Sequence, residues 1–488
     1  MNTMKKNRLH KRPGLAQGLL AASTLLPLAS VGLAADTTAT APATVSTDWQ
    51  KPAWLTDLGV GAKESYDDNV FWVSGEGLKP KTSWVTAVSP RVGFNFAPLL
   101  GSGDTLQTLS LSYTPDLVYY HETPSENYTA NKFGTAVKLK TGDFSLGLDN
   151  AFLYNDGNRE TYTYAVNPSG AAADQYDKYR SAYATAATRE RKNQFQDRNT
   201  TVLQYDWNQF FVRPTESLLY YGLNTYQYDS STPGYKGYQN YVNRYDVNGG
   251  ADVGYKVTPD VAVTLGYRYG SQYQQQFSAA INNNATLNGQ PYNPYASSDY
   301  QRVLLGLEGK PLSWLTVKLN GGPDFRNYNS SAAVNDKNLV TYYGEAVVTA
   351  KINETQSVAV NYKQWQWVSS TGYVPYFDST YALTYHWSAT PKLGLDLGGK
   401  LLESDYTSGN DFSGSGPSDR EDIVYAVSAG VSYAFCSHLS ANLTYNYNLG
   451  KNNLTEAELS AAKSVPAASY GYRDFEEQVV SLGLQYKF

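Results

Sequence analysis

From Asp260 to Gly270 the chain alternates without a break. Val261, Val263, Leu265, Tyr267 and Tyr269 fall on one side, Ala262, Thr264, Gly266 and Arg268 on the other. The same period of two sets Leu393, Leu395, Leu397 and Leu401 against Gly394, Asp396, Gly398 and Lys400. It also sets Leu439, Ala441, Leu443, Tyr445, Tyr447 and Leu449 against Ser440, Asn442, Thr444, Asn446 and Asn448. Successive side chains of a strand point to opposite faces, so each segment has one apolar face and one that is small, polar or charged. Packed inside a dry sandwich, the second face would bury unpaired ions at a cost of several kcal/mol each. A wall with lipid on one side and water on the other removes that conflict. In hydrocarbon every backbone N–H and C=O must be paired within the protein, which leaves helices or closed barrels. Nothing after residue 35 approaches the roughly 20 apolar residues of a spanning helix. The expected fold is therefore all-β: a transmembrane antiparallel up-and-down β-barrel.

Composition agrees. With 43 Tyr, 9 Trp and 16 Phe but only 17% charged residues, the chain lacks the usual make-up of a soluble core and suits a thin wall with two solvents. Its 488 residues then fit one large barrel rather than several ordinary domains.

The punctuation is asymmetric. Tight turn signals occur at Thr141-Gly142-Asp143, Arg213-Pro214-Thr215-Glu216, Thr258-Pro259-Asp260, Lys310-Pro311-Leu312-Ser313, Asn353-Glu354-Thr355, Thr390-Pro391-Lys392 and Cys436-Ser437-His438, with a longer one from Pro98 to Asp104. Between them lie longer polar connections at 67–83, 121–127, 156–198, 230–240, 274–298, 329–337, 370–376, 408–419 and 452–472. Eight turns and nine loops join about eighteen strands, with short periplasmic turns and long external loops.

The ends supply the route. Lys5, Lys6, Arg8, Lys11 and Arg12 precede an apolar stretch from Gly14 to Leu33, and Gly32-Leu33-Ala34 offers a small-residue cleavage site. Residues 1–34 read as a signal peptide, 35–54 as a short disordered periplasmic segment and 55–488 as the barrel. Loss of the signal leaves 34 of the 39 bases against 44 acids, a net charge of −10, which argues against nucleic acid as a partner. At the other end Val480, Leu482, Leu484, Tyr486 and Phe488 share a face; Tyr486 and the terminal Phe488 have the form of a signal read by barrel assembly machinery. The expected location is the outer membrane, with its lipid as the surrounding partner.

Tyr66-Asp67-Asp68-Asn69-Val70-Phe71 and Ala87-Val88-Ser89-Pro90-Arg91-Val92-Gly93-Phe94, with a repeated Thr-Pro-x-(Val/Leu)-x-(Val/Leu) turn-to-strand pattern, resemble the β-barrel porin 2 group of outer-membrane proteins. The resemblance implies an outer-membrane barrel with a porin-like role, some relatives standing beside exopolysaccharide systems.

Chemistry is sparse. Of four His, His10 lies in the signal, and His121, His386 and His438 are scattered. No nucleophile–base or metal-ligand spacing involves them, Cys436 has no partner, and neither an enzyme activity nor a cofactor is expected. Asp67-Asp68-Asn69 offers oxygen ligands to a hard cation, or a polar turn closing the first strand.

The alternation points Lys138, Asp149, Asp206, Asp252, Arg268, Glu308, Lys318, Glu345, Lys363, Asp396 and Lys400 inward, as candidate pore-lining residues of mixed sign. On the lipid face a Lys or Arg at the midplane would cost about 2–4 kcal/mol. Tyr119, Tyr120, Tyr154, Tyr226, Tyr228, Tyr267, Tyr269, Tyr445, Tyr447 and Trp314 sit near strand ends, where aromatic girdles form. Trp365 and Trp367 fall on the inward face, through a bulge or as a stacking surface in the lumen. The Ala-rich part of loop 156–198, Ala171 to Lys192, favours helix and either narrows the pore or caps the surface. The leading expectation is passive diffusion of small hydrophilic solutes. The alternatives are a polysaccharide-export barrel or an adhesive barrel with a blocked lumen. The oligomeric state stays open, with a homo-oligomer among the options.

Overall fold

The computed structural model describes residues 51–70, 72, 80–100, 105–158, 192–225, 243–275, 286–287, 290–291, 296–329, 336–368, 375–405, 421–453 and 475–488. The first strands are β1 (Leu55–Asp67), β2 (Ser83–Asn95), β3 (Leu106–Tyr120), β4 (Tyr128–Thr141), β5 (Phe144–Asn158), β6 (Lys192–Trp207), β7 (Phe210–Thr225), β8 (Arg244–Thr258) and β9 (Val261–Gln274). A two-residue hairpin of β10 (Thr286–Leu287) and β11 (Gln290–Pro291) follows. The wall resumes with β12 (Ser298–Leu312), β13 (Leu315–Tyr328), β14 (Asn338–Lys351), β15 (Gln356–Trp367) and β16 (Tyr376–Ser388). It ends with β17 (Leu393–Asp405), β18 (Glu421–Ala434), β19 (Leu439–Asn452) and β20 (Phe475–Lys487).

Eighteen of these strands form one antiparallel sheet. Each pairs with the next, β9 pairs with β12 across the small hairpin, and β1 pairs with β20 from Gly59↔Lys487 to Asp67↔Val479. The sheet is thus closed on itself, which leaves no terminal edge strand. Short connections gather at one end (the turn end) and long ones at the other (the loop end).

Cross-strand partners share a face, so the register carries one inner and one outer surface round the wall. The outer surface holds the exposed apolar side chains: Leu265 is 60% exposed, Leu305 71% and Tyr342 68%. Trp314, Trp387, Tyr433, Phe435, Tyr486 and Phe488 lie outward near the turn end; Tyr66, Trp84, Tyr119 and Tyr154 do so near the loop end. Tyr120, expected among the girdle residues, faces inward and packs with Tyr128 against Val85, Ala87 and Val118. Tyr226 and Tyr228 lie outside the described residues.

Three boundaries differ from the sequence reading, the first being that Lys310-Pro311-Leu312 belongs to β12 and the chain reverses at Ser313-Trp314. Arg213-Pro214-Thr215-Glu216 lies within β7, and the chain reverses instead at Asn208-Gln209, with Asn208 at φ +55°. Pro214 is tolerated because the β6–β7 register passes from Val202↔Thr215 to Tyr205↔Val212 without a pair there, so its missing N–H costs no ladder bond. The connection expected at 156–198 is shorter: β5 runs to Asn158 and β6 begins at Lys192, so residues 192–198 belong to the wall. The Ala-rich stretch itself, up to residue 191, and the signal segment lie outside the described residues. Of 35–54 only 51–54 are described, and there the Trp54 carbonyl accepts a bond from Asn95 N–H at 2.7 Å.

Candidate functional site: the barrel lumen

The inner face is small and polar on some strands, large and charged on others. All eleven residues singled out above fall on it in continuous register. Lys138 stands opposite Gly147 and Asp149 opposite Ala136. Lys400 stands opposite Ala382 and Ala426. Asp396 bonds His386 at 2.7 Å, and Asp206 pairs with Lys256 at 2.7 Å.

Others converge. Asp252 contacts Arg213 at 3.2 Å and Arg268 at 2.7 Å, while Arg213 makes a two-pronged contact with Glu308 at 2.8 and 2.9 Å. Lys318 is the register partner of Glu308, which brings it to the same patch. Glu345 and Lys363 are register partners; Tyr343 donates to Glu345 at 2.8 Å, and the Lys363 amine lies 4.5 Å from the Trp365 ring centre.

Above this patch, toward the loop end, lies a buried cluster that sequence reasoning missed. Asp324 accepts from Arg302 Nε at 2.7 Å and from Arg326 Nη2 at 3.0 Å. Arg326 Nη1 donates to Gln272 at 2.7 Å, and Asp246 accepts from Gln272 and from the Tyr300 hydroxyl, both at 2.8 Å. The Arg302 guanidinium lies 4.0 Å from the Tyr300 ring centre and 4.5 Å from that of Tyr343. Asp324, Arg326, Gln272 and Tyr300 are all at most 3% exposed. Alternation along β12 and β13 marks Arg302, Asp324 and Arg326 as inward; nothing in the sequence indicates that β8, β9, β12 and β13 pool them.

The end of β15, two strands from β13, joins this cluster from beyond β14. β13 and β14 stay paired over thirteen positions, but β14 and β15 pair over only eight, ending at Gly344↔Gln364. Beyond that point β15 keeps β16 as partner (Trp365↔Asp378, Trp367↔Tyr376) and leans inward. The Gln366 carbonyl accepts from Gln272 at 2.8 Å and Arg326 at 3.4 Å, and its amide donates to the Tyr328 hydroxyl. The Val368 carbonyl accepts from Arg244 at 2.5 Å, and the Arg244 guanidinium sits over both Tyr221 and Trp367. Trp367, Val368, Tyr376, Tyr328 and Ala296 form an apolar core inside the barrel. Trp365 and Trp367 stack on each other at 4.5 Å as part of that core, with Trp367 only 3% exposed.

The opposite wall holds a recess. Across β1–β4, β19 and β20 a recess of 480 Å³ is lined by residues that include Lys63, Ser65, Arg91, Asp116, Tyr120 and Tyr128. Arg91 pairs with Asp57 at 3.2 Å, and Lys132 pairs with Asp116. Asp67-Asp68-Asn69 sits at the loop end of this wall and clasps the closing strand. Asp68 Oδ1 accepts from Gln478 N–H at 2.7 Å, Asn69 donates to the Glu476 carbonyl at 2.7 Å, and Trp72 stacks on Phe475 at 4.6 Å. Among the described residues no group of three or more His, Cys, Asp or Glu is placed to hold a metal ion.

No family model and no curated protein matches the sequence, so the likeness to the β-barrel porin 2 group remains a likeness. Solved structures with a similar barrel include a mutant of the ferric enterobactin receptor PfeA from Pseudomonas aeruginosa, at 9% identity and TM-score 0.43 over 89% of this chain and 81% of that one. The FrpB iron transporter from Neisseria meningitidis gives 8% and 0.42 over 88% and 82%. OpdK from Pseudomonas aeruginosa, solved with vanillate, gives 11% and 0.40 over 89% and 100%. With scores below 0.5, the fold assignment rests on this chain's own strand order and closure.

Proposed function

We infer that the protein is an outer-membrane channel through which small hydrophilic solutes diffuse, with no chemical step. The observation that carries this is the division of the lumen: one arc of the wall is filled by bridging side chains, while the other presents a recess lined by Lys63, Arg91 and Asp116. A barrel of eighteen strands is wide enough for an aqueous path once side chains leave it free. Charges on the inner face of nearly every strand keep that path wet, and an apolar outer face suits lipid. Tyr486 and Phe488 on the closing strand are the residues we assign to recognition by the assembly machinery.

Single-channel conductance of the refolded mature protein in a planar bilayer tests this. Steady steps that shrink when Ser89→Trp or Thr114→Trp fills the recess are the expected result; a silent bilayer with correctly folded barrel would overturn it.

A further inference from the structure

We propose that the loop end of β15 is a gate that alternates between the lumen and the wall. This rests on the channel reading above, since a gate needs a path to close. In the present state residues 338–343 of β14 keep β13 on one side and, among the described residues, have no strand partner on the other. That is an unusual cost for a membrane wall, where each unpaired backbone group loses a hydrogen bond with no water to replace it. The matching edge of β15 is not bare. The carbonyls of Gln366 and Val368, two residues apart and hence on one strand edge, are taken by the side chains of Gln272, Arg326 and Arg244.

The two edges are complementary. Continuing the register that ends at Gly344↔Gln364 sets Tyr342 opposite Gln366 and Val340 opposite Val368. Zipping β15 onto β14 would return those two carbonyls to backbone N–H donors and release Gln272, Arg326 and Arg244. Hydrogen bonds are exchanged for hydrogen bonds, so the two arrangements differ by the balance of similar terms, the condition for a bistable element. Inward-facing parity is kept: Trp365 and Trp367 would stand with Tyr343 and Thr341 on the inner face of the wall, and the apolar core now inside the barrel would be dismantled. The zipped state is the open one.

The test is a cysteine pair, Tyr342→Cys with Gln366→Cys, in a Cys436→Ser background to remove the native exposed thiol. Val348→Cys with Val360→Cys, already register partners of the same parity, serves as control for a paired wall. Both pairs are expected to oxidise in the folded barrel, seen as thiol loss with retained heat-modifiable migration. The oxidised Tyr342/Gln366 pair should conduct at least about twofold more than the same protein after reduction, as expected when a minor open state is made the only one. If the control oxidises and the Tyr342/Gln366 pair does not, while wild type conducts, the gate is wrong and the channel stands. If the pair oxidises and conductance does not change, the movement does not gate. If neither state conducts, gate and channel fall together.

Discussion

The arc from β7 to β16 and the arc from β17 round to β5 are built by the same alternation, yet the first pools its large inward side chains into one bridging cluster and the second holds a recess between smaller ones. On the first, the inner face carries Tyr300, Arg302, Asp324, Arg326, Trp365 and Trp367, which are long enough to meet across several strands. On the second, small residues such as Gly398, Ser428, Gly430, Thr444, Ser481 and Gly483 alternate with shorter-range charges such as Lys63, Arg91 and Asp116. Strand number sets the circumference of a barrel; the volume of inward side chains sets what is left inside it. The crowded arc behaves as a protein core with ionic content, whereas the other arc keeps its inward charges in separate pairs such as Arg91–Asp57 and Lys132–Asp116. That contrast can be broken experimentally.

The largest difference should come from removing one acid on each arc. Asp324 is 1% exposed and holds two guanidiniums, so Asp324→Ala leaves two buried cations without their counter-ion. A loss of about 3–5 kcal/mol is expected, read as a fall in the temperature or urea concentration at which the folded, heat-modifiable band disappears. Asp396, whose side chain is 58% exposed beside His386, should cost about 0–1 kcal/mol when changed to Ala. Equal losses would mean that the crowded cluster is as solvated as the other arc.

Glycines give the next contrast. A Cβ on Gly254 would lie 2.0 Å from the Phe211 ring, which is 2% exposed and fills the space the glycine leaves. Gly254→Ala must displace that ring, at about 1–3 kcal/mol. A Cβ on Gly147, on the other arc, meets nothing within 4 Å, so Gly147→Ala should fall within about 0.5 kcal/mol of wild type. Should the two variants melt alike, Phe211 is not held where the structure places it.

Much of this was legible in advance, and the reason is period two. Alternation along Val261–Tyr269 or Leu439–Leu449 fixes the face of each side chain whatever the neighbours do, so the inner-face positions from Lys138 to Lys400 follow from local pattern, and the strand number follows from the count of turns and loops. Pro214 misled because a proline in a strand and a proline in a turn read alike until the register shows that its N–H is not needed. The Asp324 cluster and the inward lean of β15 are illegible for a different reason. They depend on how far side chains of β8, β9 and β13 reach across a closed wall, and on where one ladder stops at Gly344↔Gln364, neither of which has a periodic signature.

The smallest expected effect lies outside the membrane, on the loop-end rim of the recessed arc. Glu122 accepts from the Ser83 hydroxyl at 2.8 Å and the Trp84 N–H at 2.6 Å, and these bonds to the ionised form hold its carboxyl below the usual range. Because the folded pKa is the lower one, its contribution is complete above the ordinary carboxylate range and disappears as pH falls through the folded value. Glu122→Gln should therefore differ from wild type by a small constant amount at neutral pH, with the gap closing only in acid, when melting is followed from neutrality down to about pH 3. A gap that is unchanged across that range would show that the rim bonds do not depend on the charge. The Glu122 contact would then be one of position alone, as on the crowded arc no ionic contact is expected to be.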